Sequence, residues 1–241
     1  MPRWLDMLLQ WVYPQACRGC ETSFNTRVAG LFCEDCWQQI RRIEGPCCPG
    51  CGKPFGSEAT LSHSPTHRCG DCRERPRGFD AAFSVCWYDG VLAEAVRLLK
   101  YHGKPRLSRP LCEVMSVGLK RLPPIETILP VPLHPKRLRE REFNQAALLA
   151  KGLRRYTGAR LDLLTLHRER WTPPQVELSG PERVKNVRKA FRVVRPERIA
   201  GQALLLVDDV YTTGATLEEC AKALKKAGAK TVYALTLART A

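Results

Sequence analysis

Four Cys-x2-Cys pairs crowd into the first third of this chain: Cys17/Cys20, Cys33/Cys36, Cys48/Cys51 and Cys69/Cys72. Two thiolates at this spacing in a tight turn grip one side of a tetrahedral Zn²⁺, and two such knuckles complete its shell. Gly19, Gly50, Gly52 and Gly70 suit the turns that aim backbone amides at the sulfurs. Disulfides are the rival use and need an oxidising compartment. The start of the chain shows neither the basic n-region nor the small-residue cleavage site of a signal peptide. Zinc and a cytoplasmic setting are therefore expected.

Sequential pairing closes the shorter loops at lower entropic cost. It predicts one site from Cys17, Cys20, Cys33 and Cys36 and a second from Cys48, Cys51, Cys69 and Cys72, whereas a cross-braced arrangement would interleave the knuckles. His63 and His67 offer a substitute ligand for the second site, and Cys47 is spare. Four-cysteine sites leave no open coordination position, so their expected role is structural.

The polar stretch Arg73–Gly78 separates this module, residues 1–78 with an N-terminal helix, from a second domain at 79–241. Trp4, Leu8 and Trp11 form a stripe at helical spacing, expected to cover the protein's own core. Beyond residue 78, strands and helices alternate. Residues 81–88 read as a strand. Leu92, Val96 and Leu99 lie at helical spacing, and residues 107–122 form a further helix stopped by Pro123-Pro124. Thr127–Pro132 is a short strand leading into a basic loop, and Asn144 caps a helix running to about Tyr156. Leu161–Leu166 reads as a strand, residues 167–189 as a long loop, and Ala190–Val194 as another strand. Ala203–Val207 is a continuous apolar run, the mark of a strand buried on both faces. A helix over Ala215–Ala227 and a strand over Thr231–Leu237 close the chain. The pattern predicts an α/β fold with a mostly parallel sheet flanked by helices. No apolar run approaches the ~20 residues of a membrane span.

Charge is concentrated. Of 39 basic and 24 acidic residues, the stretch 130–200 holds 17 and 7, an excess of ten within a formal net charge of +15. A localised anionic partner, a phosphorylated small molecule or a nucleic acid, is the expected consequence. Aromatics are few in that stretch, Tyr156, Trp171 and Phe143 among them, which gives base stacking thin support.

The sharpest signal is Asp208-Asp209-Val210-Tyr211-Thr212-Thr213-Gly214-Ala215-Thr216, directly after the buried strand. It puts two carboxylates at the C-terminal edge of a sheet, where open α/β sheets bind ligands. A threonine–glycine loop then opens onto a helix N-terminus, where hydroxyls, amides and the helix dipole together seat a phosphate monoester. The carboxylates suit polyol hydroxyls, directly or through Mg²⁺. A phosphorylated sugar is the natural ligand.

This run resembles the phosphoribosyl pyrophosphate (PRPP) signature of type I phosphoribosyltransferases. The wider chain resembles the ComF/GntX family, through Pro130–His134, Arg137–Gln145 and Gln175–Phe191, with Glu142 standing where that family usually has glycine. The resemblance implies a type I phosphoribosyltransferase-like fold with an N-terminal double zinc ribbon. It also implies that Asp208 and Asp209 bind the ribose hydroxyls while Thr212, Thr213, Gly214, Ala215 and Thr216 hold the 5-phosphate. Pro130, Val131, Pro132 and Arg137 would belong to the pyrophosphate loop, and residues 167–189 to a hood with Arg168, Arg170, Gln175, Arg183 and Asn186 over the ligand. Asp208, Asp209, Arg168 and Arg170 would be the catalytic set, with Mg²⁺ accompanying PRPP. Arg137, Arg139, Arg141, Arg183, Lys185 and Arg188 would meet single-stranded DNA. His134 reads as structural, and Cys86, Cys112 and Cys220 as small buried residues.

Three functions compete: a PRPP-binding protein of DNA uptake and natural transformation, a phosphoribosyltransferase acting on an amine or base, and a zinc-ribbon adaptor docking on a competence helicase.

Overall fold

The computed structural model describes residues 16–22, 28, 30–57, 64, 66–171 and 180–241, without the side chains of 180, 181, 183 and 184. Trp4, Leu8, Trp11, His63, Gln175 and the Arg183 side chain lie outside that description. In chain order the elements are α1 (Glu34–Gln38), α2 (Gly70–Glu74), β1 (Ala81–Trp87), α3 (Gly90–Tyr101), α4 (Ser108–Ser116, with 3₁₀ turns at both ends) and β2 (Thr127–Pro130). They continue with α5 (Pro135–Arg141), α6 (Gln145–Leu153), β3 (Arg160–Leu161), β4 (Leu166–Arg168), α7 (Gly180–Val187), β5 (Phe191–Val193), β6 (Ala203–Tyr211), α8 (Ala215–Lys226) and β7 (Thr231–Arg239).

The main sheet has five strands in the order β1-β7-β6-β2-β3, and every pairing in it is parallel. Strand alternation divides its apolar residues between two cores. Leu205, Val207, Leu235 and Leu237 face α3, α4 and α6. Leu204, Leu206, Val232 and Ala234 face α8 through Leu217, Ala221 and Leu224. This explains why Ala203–Val207 reads as unbroken apolar sequence: neither face of β6 meets water.

The cysteine-rich segment is built into both cores. Cys17, Cys33 and Cys36 pack with the first, and Cys48, Cys51, Cys69 and Cys72 with the second. Between the two groups the chain runs along β1, an edge strand whose outer hydrogen-bonding groups would otherwise stand open. Ile43 N–H donates to the Val85 carbonyl (2.8 Å), Trp87 N–H to Arg41 (2.9 Å) and Ala82 N–H to Gly50 (2.9 Å). The segment thus closes the sheet edge and straddles it, one cysteine group over each face.

Three expectations from the sequence need correction. The strand over Leu161–Leu166 is broken at Asp162, whose carboxylate accepts the Leu164 and Thr165 amides (2.9 and 3.0 Å) and turns the chain. As a result β3 joins the main sheet, whereas β4 pairs antiparallel with β5 in a separate ribbon. The long loop expected over 167–189 includes the end of β4 and helix α7. The basic loop after Pro132 contains α5, whose first turn is capped by His134 Nδ1 accepting the Lys136 amide (3.2 Å). Helix α5 ends at Glu142 in the left-handed region, φ 66°. A glutamate there holds a conformation that glycine adopts without strain, at a cost of about 1 kcal/mol.

Candidate functional site

The C-terminal ends of β2 and β6 open into a cavity of about 520 Å³, within the range of small-molecule sites. Its lining includes Val131 and Pro132 after β2, Asp208 and Asp209 on β6, and Thr212, Gly214, Ala215 and Thr216 at the start of α8. Arg137 and Arg141 enter from α5 and Arg168 from β4. Elements far apart in the chain therefore converge on one cleft, at the sheet edge where ligands bind in such folds. Asn144 ties two of them together: its Oδ1 caps α6 on the Ala146 amide (2.9 Å) while its Nδ2 donates to the Val131 carbonyl (3.0 Å).

The carboxylate doublet is asymmetric. Asp209 is buried, and its Oδ1 accepts from Lys100 Nζ at 2.9 Å. Its Oδ2 is also buried and, among the described residues, has no protein hydrogen-bond partner. An orphaned carboxylate oxygen on a cavity wall fits a ligand hydroxyl or a hard cation. Asp208 Oδ1 accepts the Asp209 amide at 2.9 Å. Burial and then the Asp209 charge push the Asp208 carboxyl up to about 7, against the opposing pull of Lys100. Burial alone would depress the Lys100 ammonium, but Asp209 outweighs it and the net shift is upward.

The lining is also rich in arginine. Burial lowers the Arg137 guanidinium, and the neighbouring Arg141 lowers it further. Burial, followed by the Arg137 charge, does the same to Arg168. Like charges held together at the rim of a half-enclosed cavity gain most when an anion enters between them. Arg141 and Arg137 also lie over the rings of Tyr101 (4.7 Å) and Trp171 (5.7 Å).

The threonine–glycine loop opens onto the N-terminus of α8. Gly214 is left-handed, φ 76°, and stands at the N-cap of α8. A Cβ built on it would run into the Tyr211 hydroxyl. Thr213 Oγ1 turns back to accept the Ala215 amide (3.3 Å). Gly214→Ala is therefore expected to lower stability by about 1–3 kcal/mol, read as a fall in the urea midpoint at unchanged m-value; an unchanged midpoint would refute the steric argument.

Several expected site residues lie elsewhere. Pro130 is buried at the end of β2, and Thr213 caps its own loop; neither lines the cavity. Arg170 donates to the carbonyls of Asn186 (2.8 Å) and Arg188 (2.7 Å), tying β4 to the end of α7. Arg139, Lys185 and Arg188 are exposed away from the cavity lining. Conversely, Lys100, Arg97, Tyr101 and Gln145 line the cavity without having stood out in the sequence. A lysine at the end of an amphipathic helix looks like any solvated lysine until a partner strand brings a carboxylate to it.

The cysteines gather into two groups, Cys17/Cys20/Cys33/Cys36 and Cys48/Cys51/Cys69/Cys72, with all sulfurs of a group within 4.8 Å of one another. The Cys20–Cys33 and Cys51–Cys69 sulfurs are 3.8 and 3.6 Å apart. A tetrahedron of Zn–S bonds of about 2.3 Å has edges of about 3.8 Å, so the donor set fits zinc in the sequential pairing. Backbone amides support it: Gly19 and Cys33 donate to Cys17 Sγ (both 3.3 Å), and Cys69 donates to Cys48 Sγ (3.3 Å). His67 is outside both groups, against the Phe55 ring, and Cys47 Sγ points to the Gly45 carbonyl. No helix among the described residues is long and apolar enough to cross a membrane.

Known proteins carry the same combination. Residues 8–73 match the double zinc ribbon domain and residues 149–241 the phosphoribosyl transferase domain. The DNA utilization protein YhgH of Salmonella typhi is 34% identical over 87% of this chain and 90% of its own length. Competence protein F of Haemophilus influenzae is 30% identical over 92% and 96%, and competence protein ComFC of Bacillus subtilis 28% over 95% and 97%. With identity at this level over nearly the full length of both chains, and with two four-cysteine groups joined to a five-stranded parallel sheet, the chain belongs to the ComF family, which couples an N-terminal double zinc ribbon to a phosphoribosyltransferase domain.

Proposed function

We propose that this protein binds PRPP in the 520 Å³ cavity and acts in the handling of incoming single-stranded DNA. The observation that carries the first half is the buried Asp209 Oδ2, left without a protein partner among the described residues, on a carboxylate that lines a cavity also lined by Arg137, Arg141 and Arg168. Asp208 and Asp209 would hold the ribose hydroxyls, Thr212, Gly214 and Thr216 with the N-terminus of α8 the 5-phosphate, and Arg137 with Arg168 the pyrophosphate. Bound Mg²⁺, which Asp208 and Asp209 could hold, would supply charge neutralisation. If the site turns over, the C1–O bond to pyrophosphate breaks as an acceptor nucleophile bonds to C1, positive charge grows on the ribose in between, and the arginines hold the departing pyrophosphate. His134 is given no role in this step; its Nδ1 caps α5.

Calorimetric titration with PRPP and Mg²⁺ tests the reading. Wild type is expected to bind, and Asp208→Asn/Asp209→Asn to bind at least about 100-fold more weakly, the effect of removing two charge-assisted contacts of about 1.5 kcal/mol or more each. Equal affinity in both proteins would refute it. Pyrophosphate release in the presence of amines and nucleobases separates a transferase from a binding protein.

The DNA half rests on the names of the YhgH and competence relatives and on the excess of ten basic residues in 130–200. Exposed Arg139, Lys185 and Arg188 are the proposed phosphate contacts. Single-strand affinity is expected to fall linearly with log salt, and the slope to shrink by roughly 0.7 for each of these residues neutralised. A salt-independent interaction, or none at low salt, would remove this half. The docking of the zinc ribbon on a competence helicase is the competing proposal, and a pull-down lost on Cys48→Ser but kept on Asp208→Asn would favour it.

A further inference from the structure

The Thr212–Thr216 loop and the second cysteine group are joined by two side chains that the ligand reading does not use. Tyr211 is the last residue of β6, one position before Thr212, and it is buried with its hydroxyl against Gly214. The Arg239 guanidinium lies 4.9 Å from the centre of the Tyr211 ring, and its Nη1 donates to the Cys51 carbonyl at 3.0 Å. Arg239 is itself buried, on the last residue of β7 and in register with Tyr211. Arg77 lies beside this path, its charge felt at Tyr211 and Cys72 and its Nε buried without a hydrogen-bond partner among the described residues. Cys51, Arg239 and the Tyr211 ring thus form a continuous path ending on the glycine that opens α8. The first cysteine group belongs to the core on the other face of the sheet and contributes nothing to this path.

We propose that Arg239 and Tyr211 are positioning residues, a strut by which the second cysteine group, with its zinc bound, holds the Thr212–Thr216 loop in its anion-binding shape. The physical basis is the coupling of a rigid element to a loop. A bound tetrahedral metal would fix the Cys51 backbone and with it the carbonyl that Arg239 grips. Arg239 transmits that position to the ring, and the ring leaves Gly214 no freedom to move toward it. The Thr213-to-Ala215 contact and the first turn of α8 also hold the loop. The inference rests on the reading of this loop as a phosphate seat, but the strut itself is testable without ligand.

Hydrogen exchange of the 211–217 backbone amides in the ligand-free, zinc-replete full chain is the direct measurement. Arg239→Met and Tyr211→Leu are expected to speed exchange there about tenfold, with two zinc ions per chain retained by metal analysis. Arg239→Lys, which keeps a cation over the ring, is expected to restore most of the protection. Asp162→Asn, which loosens the opposite edge of the sheet, serves as the stability control and should leave these amides near wild type. PRPP affinity should fall about tenfold in Arg239→Met and recover with Arg239→Lys. Unchanged exchange in the zinc-replete Arg239→Met and Tyr211→Leu variants, or an equal increase in Asp162→Asn, overturns the strut. Failure of wild type to bind PRPP sinks the ligand reading instead, and the exchange result still decides the strut.

Discussion

Chelation is expected to strip two zinc ions from each chain and to lower the melting temperature of the whole protein, not of its cysteine-rich segment alone. Each four-cysteine site contributes on the order of 10 kcal/mol of apparent binding free energy, comparable to the roughly 5–15 kcal/mol by which a domain is stable at all. The cysteines are members of both sheet cores, and the chain between the two groups covers the β1 edge through Ile43, Arg41 and Gly50. Losing the metal would open that edge and both cores together. Thiolates bind zinc only when deprotonated, so release should be favoured as pH falls. Metal analysis finding fewer than two zinc ions per chain, or a sheet that melts at the same temperature with and without chelator, would contradict this.

The second large effect is expected at Asp162. Its side chain is 1% exposed and accepts from Leu164 N–H (2.9 Å), Thr165 N–H (3.0 Å), Thr165 Oγ1 (2.9 Å) and Arg198 Nε (2.9 Å). Burial alone would raise this carboxyl, but the amides, the threonine hydroxyl and Arg198 together pull it below its ordinary value. The network fixes the turn that sends β3 into the main sheet and starts β4 toward its pairing with β5. Asp162→Ala is expected to cost about 3 kcal/mol, the scale of breaking a buried charged network. Because the folded state favours the ionised form, this stabilisation is present above the unfolded pKa of about 4 and is lost as pH falls through the lower, folded value. Urea midpoints between pH 6 and pH 3 should therefore fall less steeply in Asp162→Ala than in wild type. Parallel curves would assign the network no role in acid stability.

What was legible in the sequence differs by element. Ala203–Val207 declares a central strand because both its faces meet apolar layers, and Asn144 declares a helix start because its amide can cap. The cost of loop closure favours sequential cysteine pairing, while the cross-braced alternative is set aside only by where the folded chain groups the sulfurs. The split of Leu161–Leu166 was illegible for a definite reason: five of those six residues suit a strand, and only the tertiary partners of Asp162 make its turn the lower-energy choice. Lys100 was equally hidden. Its pairing with Asp209 spans 109 positions and exists only because the end of α3 reaches the end of β6.

The sequence by itself determined the chemistry available to this protein: two metal-gripping cysteine sets, a carboxylate doublet at a strand end, and a threonine–glycine loop before a helix. These are local, fixed by spacing within a few residues and by the backbone geometry that spacing allows. The tertiary structure alone decided which charges oppose one another, with Arg137 and Arg168 facing the cavity while Arg170 is bound to α7. It also decided that the cysteine sets clasp the two faces of one sheet edge. Such choices depend on contacts between distant segments, whose energies appear only once burial has removed the alternative of solvation by water.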